Sequence, residues 1–286
     1  MDLQLGKQKR MMYARVFDRT EEEEGTFCLW NLDFSDKSAQ IEGSIAADVV
    51  YAEEGGALRS FPVELPVKVR ISGETLSPDV RPWLRCTLTA LDARAVNSRK
   101  VRVTARLSLC LRAYRETELA LTDRIEGDGG AVFTRTETLR VQIPVSVEEK
   151  TFTVSETHRF LSGQPEADRL LCHTETVLLD DVSAAGSRVI LQGRVCAAVT
   201  YLPQGQMCPV VETFETAFSQ MLDCPADTSP CLLHTTVNLT AAYLNVSAAA
   251  DGAALEAEYH LVAQTVCLAD AEADCVTDAY CNTAEL

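Results

Sequence analysis

The sequence predicts an all-β protein of two tandem antiparallel β-sandwich or open-barrel-like domains, and three observations predict it. Apolar side chains recur at every second position through run after run. Gly- and Pro-bearing turns punctuate those runs, and no convincing 3.6-residue apolar stripe longer than about ten residues intervenes. One strand-like phrase also returns about 150 positions after its first appearance.

The first copy of that phrase is IEGSIAADVVY, with Ile41, Gly43, Ile45, Ala47, Val49 and Tyr51 on one phase. EEGG (53–56) reads as a turn, and FPVELPVKVRI (61–71) alternates again. Pro62 and Pro66 lie on its opposite phase; proline donates nothing to a ladder, so an edge or bulged strand is expected. Strands near 84–91 and 101–113 follow the loop GETLSPDVRP. In the second of them Val101, Val103, Ala105, Leu107, Leu109 and Leu111 oppose Arg102, Thr104, Arg106, Ser108 and Arg112. GDGG (127–130) breaks the pattern before TLRVQIPVSV resumes it.

The second copy repeats the plan. VILQGRVCAAVTY places Leu191, Gly193, Val195, Ala197, Val199 and Tyr201 on one phase. GSR (186–188) precedes it and PQGQ (203–206) follows it; strands near 211–222, 232–246 and 254–267 complete the unit. A repeat this long is a duplicated domain, not a solenoid unit, and each copy can build its own core. The expected division is 1–146 and 147–286. Gly43 and Gly193 are expected at a bulge or where another chain segment approaches closely. Tyr51 and Tyr201 are expected at a rim, ring inward and hydroxyl in water.

The chain is 47% hydrophobic and 24% charged, a core-forming composition without any apolar run approaching a membrane span. The first residues lack the apolar core of a secretory signal, so the chain is expected to stay in the cytoplasm of the cell that makes it. Its eleven cysteines are then expected to be reduced thiols, and no CxxC pair suggests a metal site. Charge is uneven. Residues 1–143 hold 21 Lys+Arg against 22 Asp+Glu, whereas 144–286 hold 5 against 20, and none of the former follows Arg194. The acidic half disfavours nucleic acid and anionic membranes; it reads as a solubilising surface or a docking face for a basic partner.

No catalytic constellation appears. GxxxxGK[ST], GxGxxG, HExxH and GxSxG are all missing. His260 falls on the polar phase of its strand, and a pairing of His158 with Cys172 would need spatial proximity and an orienting third group. Acidic runs such as Glu21 to Glu24, Glu53-Glu54, Glu148-Glu149 and Asp180-Asp181 read as solvated charge. The sequons at Asn238 and Asn245 carry no meaning without export. A basic stripe (Arg94, Arg99, Lys100, Arg102, Arg106, Arg112 and Arg115) is diluted by Asp92, Glu116 and Glu118. It could face the acidic half, in the same molecule or in a neighbour. No catalytic, metal or cofactor residues are assigned, and the binding residues are unknown.

The phrases LGKQKRMMYARVF, IEGSIAADVVY and AVNSRKVRVTARLSL, then VILQGRVCAAVTY, FETAFSQMLDC and VTDAY, resemble in order and spacing two consecutive copies of the SPOCS-domain family. KTFTVSETHRFLSGQPEADRLL (150–171) looks like that family's connector. The family includes clostridial spore-coat morphogenetic proteins on the mother-cell side of the forespore. The resemblance implies a non-enzymatic scaffold or adaptor in coat or envelope assembly, with stage IV sporulation protein A, a coat-basement ATPase, as partner. Such members usually continue into a LysM module; this chain ends at DAYCNTAEL, about where the linker would begin, which puts that partner in question. Self-association is a further expectation. The alternative is a carbohydrate- or peptidoglycan-binding β module, disfavoured by the presence of only two tryptophans, Trp30 and Trp83.

Overall fold

The computed structural model describes residues 2–4, 14–15, 26–52, 56–97, 100–115, 122, 124–125, 132–160, 167–225, 227–249 and 252–281. The acidic run 21–24, Arg99 and GDGG lie outside them. Every paired element is antiparallel, and the described residues contain no helix.

The first half holds β1 (Asp2–Gln4), β2 (Ala14–Arg15), β3 (Thr26–Ser35), β4 (Ser38–Ala52), β5 (Leu58–Ser72), β6 (Arg81–Asn97) and β7 (Lys100–Tyr114). The second holds β8 (Val132–Arg159), β9 (Ala167–Ala184), β10 (Arg188–Pro203), β11 (Val210–Asp223), β12 (Leu232–Ala249) and β13 (Gly252–Cys281). The two recurring phrases are the central strands β4 and β10. β4 lies between β3 and β5, with β2 continuing the β3 side at Tyr51; β10 lies between β11 and β9, whose Leu170 reaches Tyr201. The remaining strands form β1-β7-β6 in one half and β8-β13-β12 in the other, the same pairing order. β5, the strand with two prolines, pairs with β4 alone and is an edge, as its prolines require.

Each half buries the apolar phase of its strands between two sheets. Val195, Val199, Phe214 and Phe218 meet Leu255, Tyr259 and Leu261 in the second half. Val49 and Val63 meet Val101 and Val103 in the first. This sandwich arrangement follows directly from period-two patterning.

Both glycines sit where the neighbouring strand bulges. Gly43 lies opposite Leu29, with Trp30 as the extra residue; Gly193 lies opposite Leu179, with Asp180 as the extra residue. A Cβ on Gly43 would stand 2.4 Å from the Cys28 carbonyl oxygen and 2.8 Å from Phe27 Cζ. On Gly193 it would stand 2.4 Å from the Leu178 oxygen and 2.6 Å from Phe218 Cζ. The same crowding therefore selects glycine at both positions.

The rim placement of the tyrosines does not hold. Tyr51 is 3% exposed and Tyr201 0%. Tyr201 packs against Phe160 and donates to Glu212 at 3.5 Å, so its hydroxyl is satisfied inside the protein. The end of a strand is not the end of the core when a neighbouring segment closes over it.

The point 146/147 falls inside β8, which pairs with β13 from one end to the other across a bulge between Pro144 and Ser146. Beyond that bulge, 132–144 and 268–281 form a two-stranded ribbon. One of its faces carries Leu139, Val141 and Ile143, each exposed by 37–43%, opposite Ala273, Ala271 and Ala269. At its far end Phe133 stacks on Tyr280, ring centroids 5.0 Å apart.

Candidate functional site

The residues that bear chemistry gather at the seam between the halves. β6 pairs on one side with β7, so alternate backbone groups on its other side need partners from elsewhere. At Leu84, fully buried, side-chain amides supply them. Gln264 Oε1 accepts from the Leu84 N–H at 2.8 Å, and Asn238 Nδ2 donates to the Leu84 carbonyl at 2.8 Å. Gln264 Nε2 in turn donates to Glu149 at 2.7 Å. Val262, on the same face of β13 as Gln264, joins the apolar cluster of Phe27, Leu29 and Ile41.

A second polar contact crosses the seam. Thr26 Oγ1 of β3 donates to Glu175 of β9 at 2.7 Å. His173 Nδ1 is 2.6 Å from Glu175, and its Nε2 is 3.8 Å from Asp48 of β4. Burial would depress the imidazole pKa; the Glu175 and Asp48 carboxylates outweigh it and raise it to about 9. Burial raises the Asp48 pKa, partly offset by His173. At neutral pH His173 is thus a cation between two carboxyl groups, a tie between halves and a poor general base.

Two clefts flank the seam. One, of about 510 Å³, is lined by Trp83, Arg85, Thr87, Glu175, Thr235 and Asn238. The Trp83 indole N–H is buried and without a partner. The other, of about 360 Å³, is bordered by Trp30, Pro82, Glu149 and Gln264. Burial, with Glu175 and Glu64 adding to it, pushes the nearby Cys28 thiol up to about 11, and burial pushes Cys86 up to about 12. Both are protonated at neutral pH and therefore weak nucleophiles.

The four histidines do not converge. His158 lies 2.8 Å from Thr216 Oγ1 and packs on Phe214. His260, half exposed, meets Glu258 at 2.6 Å. Among the described residues no group of three His, Cys, Asp or Glu side chains is placed to hold a metal ion, and no helix could cross a membrane. The stripe residues Arg94, Arg102, Arg106 and Arg112 fall on one face of the β6–β7 pair, all exposed, and the Arg112 guanidinium lies 5.1 Å over the Trp83 ring in the wall of the first cleft. Sequence reasoning missed His173, Glu175, Asp48 and Gln264. Gln264 alone left a signal, a lone amide in the apolar run LVAQTVCLA.

Comparison with protein-family models, curated proteins and solved structures finds no match for the chain.

Proposed function

We propose that the chain is a non-enzymatic adaptor or scaffold of spore-coat or envelope assembly, made of two copies of one β-module and working through protein–protein contacts. The observation that carries this reading is the ribbon 132–144/268–281. It leaves an apolar face in water on one side, and among the described residues no strand pairs with the outer edge of β8; such features attract a further chain. The matched pairing order of the halves supports the duplication, with the whole of β8 in the second copy. The spore assignment rests on the SPOCS-like phrases, two of which are the central strands β4 and β10. The partner in this reading is the coat-basement ATPase, stage IV sporulation protein A, met on the mother-cell side of the forespore.

A fluorescent fusion followed through sporulation tests it. The expected result is a shell around the forespore, with coat proteins co-precipitating. Abundance in vegetative cells and absence from forespore fractions would overturn it. The polar lining of the 510 Å³ cleft, with Trp83 in its wall, favours glycan binding as a second reading, which predicts co-sedimentation with purified peptidoglycan.

A further inference from the structure

We infer that Cys224, Cys231 and Cys267 form a thiol oxidation site, at which peroxide drives a disulfide between Cys224 and Cys267 that clamps the two sheets of the second sandwich. The three sulfurs arrive from different places in the chain. Even-numbered residues of β11 point inward from Phe214 to Leu222, and Cys224 continues that phase just past the strand. Odd-numbered residues of β13 from Leu255 to Cys267 point inward from the opposite sheet. Cys224, 5% exposed, and Cys267, 0% exposed, sit in one apolar cluster with Val189, Leu191 and Leu222. Their thiols face each other closely enough to hydrogen-bond. Ser146, directly opposite Cys267 in the β8–β13 ladder, is also within hydrogen-bond reach of Cys224.

Cys231 packs on the same cluster but is only half-buried, and its S–H donates to the Asp227 carbonyl at 3.7 Å. Two residues on, Leu233 pairs directly with Cys267, which puts Cys231 diagonally beyond it. A disulfide needs side chains that converge, and two residues on facing inner phases supply that.

Burial, with the Cys224 sulfur adding to it, pushes the Cys267 thiol up to about 12, and burial raises Cys224 too. Both are protonated at neutral pH and react poorly with reagents from outside. Cys231 is the entry point. Its sulfur takes one oxygen from hydrogen peroxide, breaking the O–O bond and releasing one water, and becomes a sulfenic acid. Cys267 attacks that sulfur, forming an S–S bond and expelling the second water. Cys224 then attacks Cys267, and Cys231 leaves as a thiol with the proton from Cys224. In sum, two thiols give up two protons and two electrons, and peroxide becomes two waters. The attacking thiols are weak nucleophiles, but each is held beside its target, so a small thiolate fraction suffices.

Residues 224 and 267 are 43 apart, and the loop they close contains all of β12. The bond joins opposite sheets and so opposes their separation on unfolding. Reducing conditions reopen it, which gives the second sandwich a clamped and an unclamped form set by the ambient redox state. The inference does not depend on the spore-envelope reading.

Peptide mapping of the full chain tests it. The protein carries Cys110→Ser and Cys208→Ser, which remove two exposed thiols able to bridge molecules. It is reduced, cleared of reductant, held with hydrogen peroxide, blocked with iodoacetamide and digested without reduction. Mass spectrometry is expected to find the Cys224 peptide joined to the Cys267 peptide as the main internal link. The urea midpoint by far-UV circular dichroism is expected to rise with that link and to return with dithiothreitol. Cys267→Ala is expected to lose both the link and the rise; if it fails to fold, Cys224→Ala, at the edge of the cluster, is expected to give the same result. Cys231→Ser is expected to form the bond about tenfold more slowly, and an unchanged rate would overturn the entry role of Cys231. Recovery of Cys224 and Cys267 as free thiols, a link that forms only in urea, or a link without a rise in midpoint would overturn the inference.

Discussion

Gly193→Ala is the sharpest probe of why the recurring phrase carries a glycine. In an open strand the change would stabilise by about 0.5–1 kcal/mol, because alanine has less backbone freedom to lose. Here the new methyl would stand 2.4 Å from the Leu178 oxygen and 2.6 Å from Phe218 Cζ, about 1 Å inside ordinary contact. The oxygen belongs to the bulged backbone of β9, paired along β10 on both sides of the site, so it cannot swing aside as a side-chain tip can. Phe218 is 5% exposed and packed on Phe152, ring centroids 5.4 Å apart. Overpacking of this kind costs about 1–3 kcal/mol, enough to reverse the sign and leave a net loss of about 1–2 kcal/mol. Both tryptophans lie in the first half, so urea unfolding followed by far-UV circular dichroism is the suitable assay for the second. Gly43→Ala is expected to show the same loss by tryptophan fluorescence. A Gly193→Ala protein as stable as the parent, or more so, would refute the reasoning.

Other outcomes follow from the seam. His173 has a folded pKa near 9, above the ordinary value of 6.5, so its contribution is complete below pH 6.5 and is lost as pH rises through 9. Stability is expected to fall by about 2 kcal/mol across that window in denaturation midpoints, and His173→Gln is expected to flatten the profile. Gln264→Ala leaves the Leu84 N–H buried and unpaired and is expected to cost about 1–3 kcal/mol; Gln264→Leu, apolar but nearer in volume, is expected to lose a similar amount. Thiol labelling of the folded protein is expected to reach the exposed Cys110 and Cys208 first and the buried, pKa-raised Cys28 and Cys267 last. Early labelling of Cys28 would contradict its burial beside Glu175.

β3 and most of β9 were not among the expected strands, but the β class, the runs β4 to β7 and β10 to β13 and the edge position of β5 were legible because period two and proline chemistry act locally. So was the need for glycine at 43 and 193, although the donor of the crowding ring was not. Phe27 comes from β3 in one half, whereas Phe218 comes from β11 in the other. Strand ends were less legible. β13 runs to Cys281, well past the expected 267, because alternation weakens to Ala269, Ala271 and Ala273 once no opposite sheet covers it. The seam was illegible for a different reason. Asp48 and Glu175 stand 127 residues apart and meet only because two sandwiches dock, and no local pattern encodes a contact at that separation. Tyr201 was misplaced for the same reason, since what covers it, Phe160, arrives from β8's far end.

The two-module account is tested most directly by preparing residues 1–128 and 129–286 as separate chains and following each by circular dichroism on heating. The account expects each to give a β spectrum and its own cooperative transition. On mixing, the two are expected to reassociate and to regain the pH 6.5–9 dependence set by His173. A fragment that unfolds in isolation and recovers structure only with the other would mean a single core shared by both halves, and the duplicated-module account would fall.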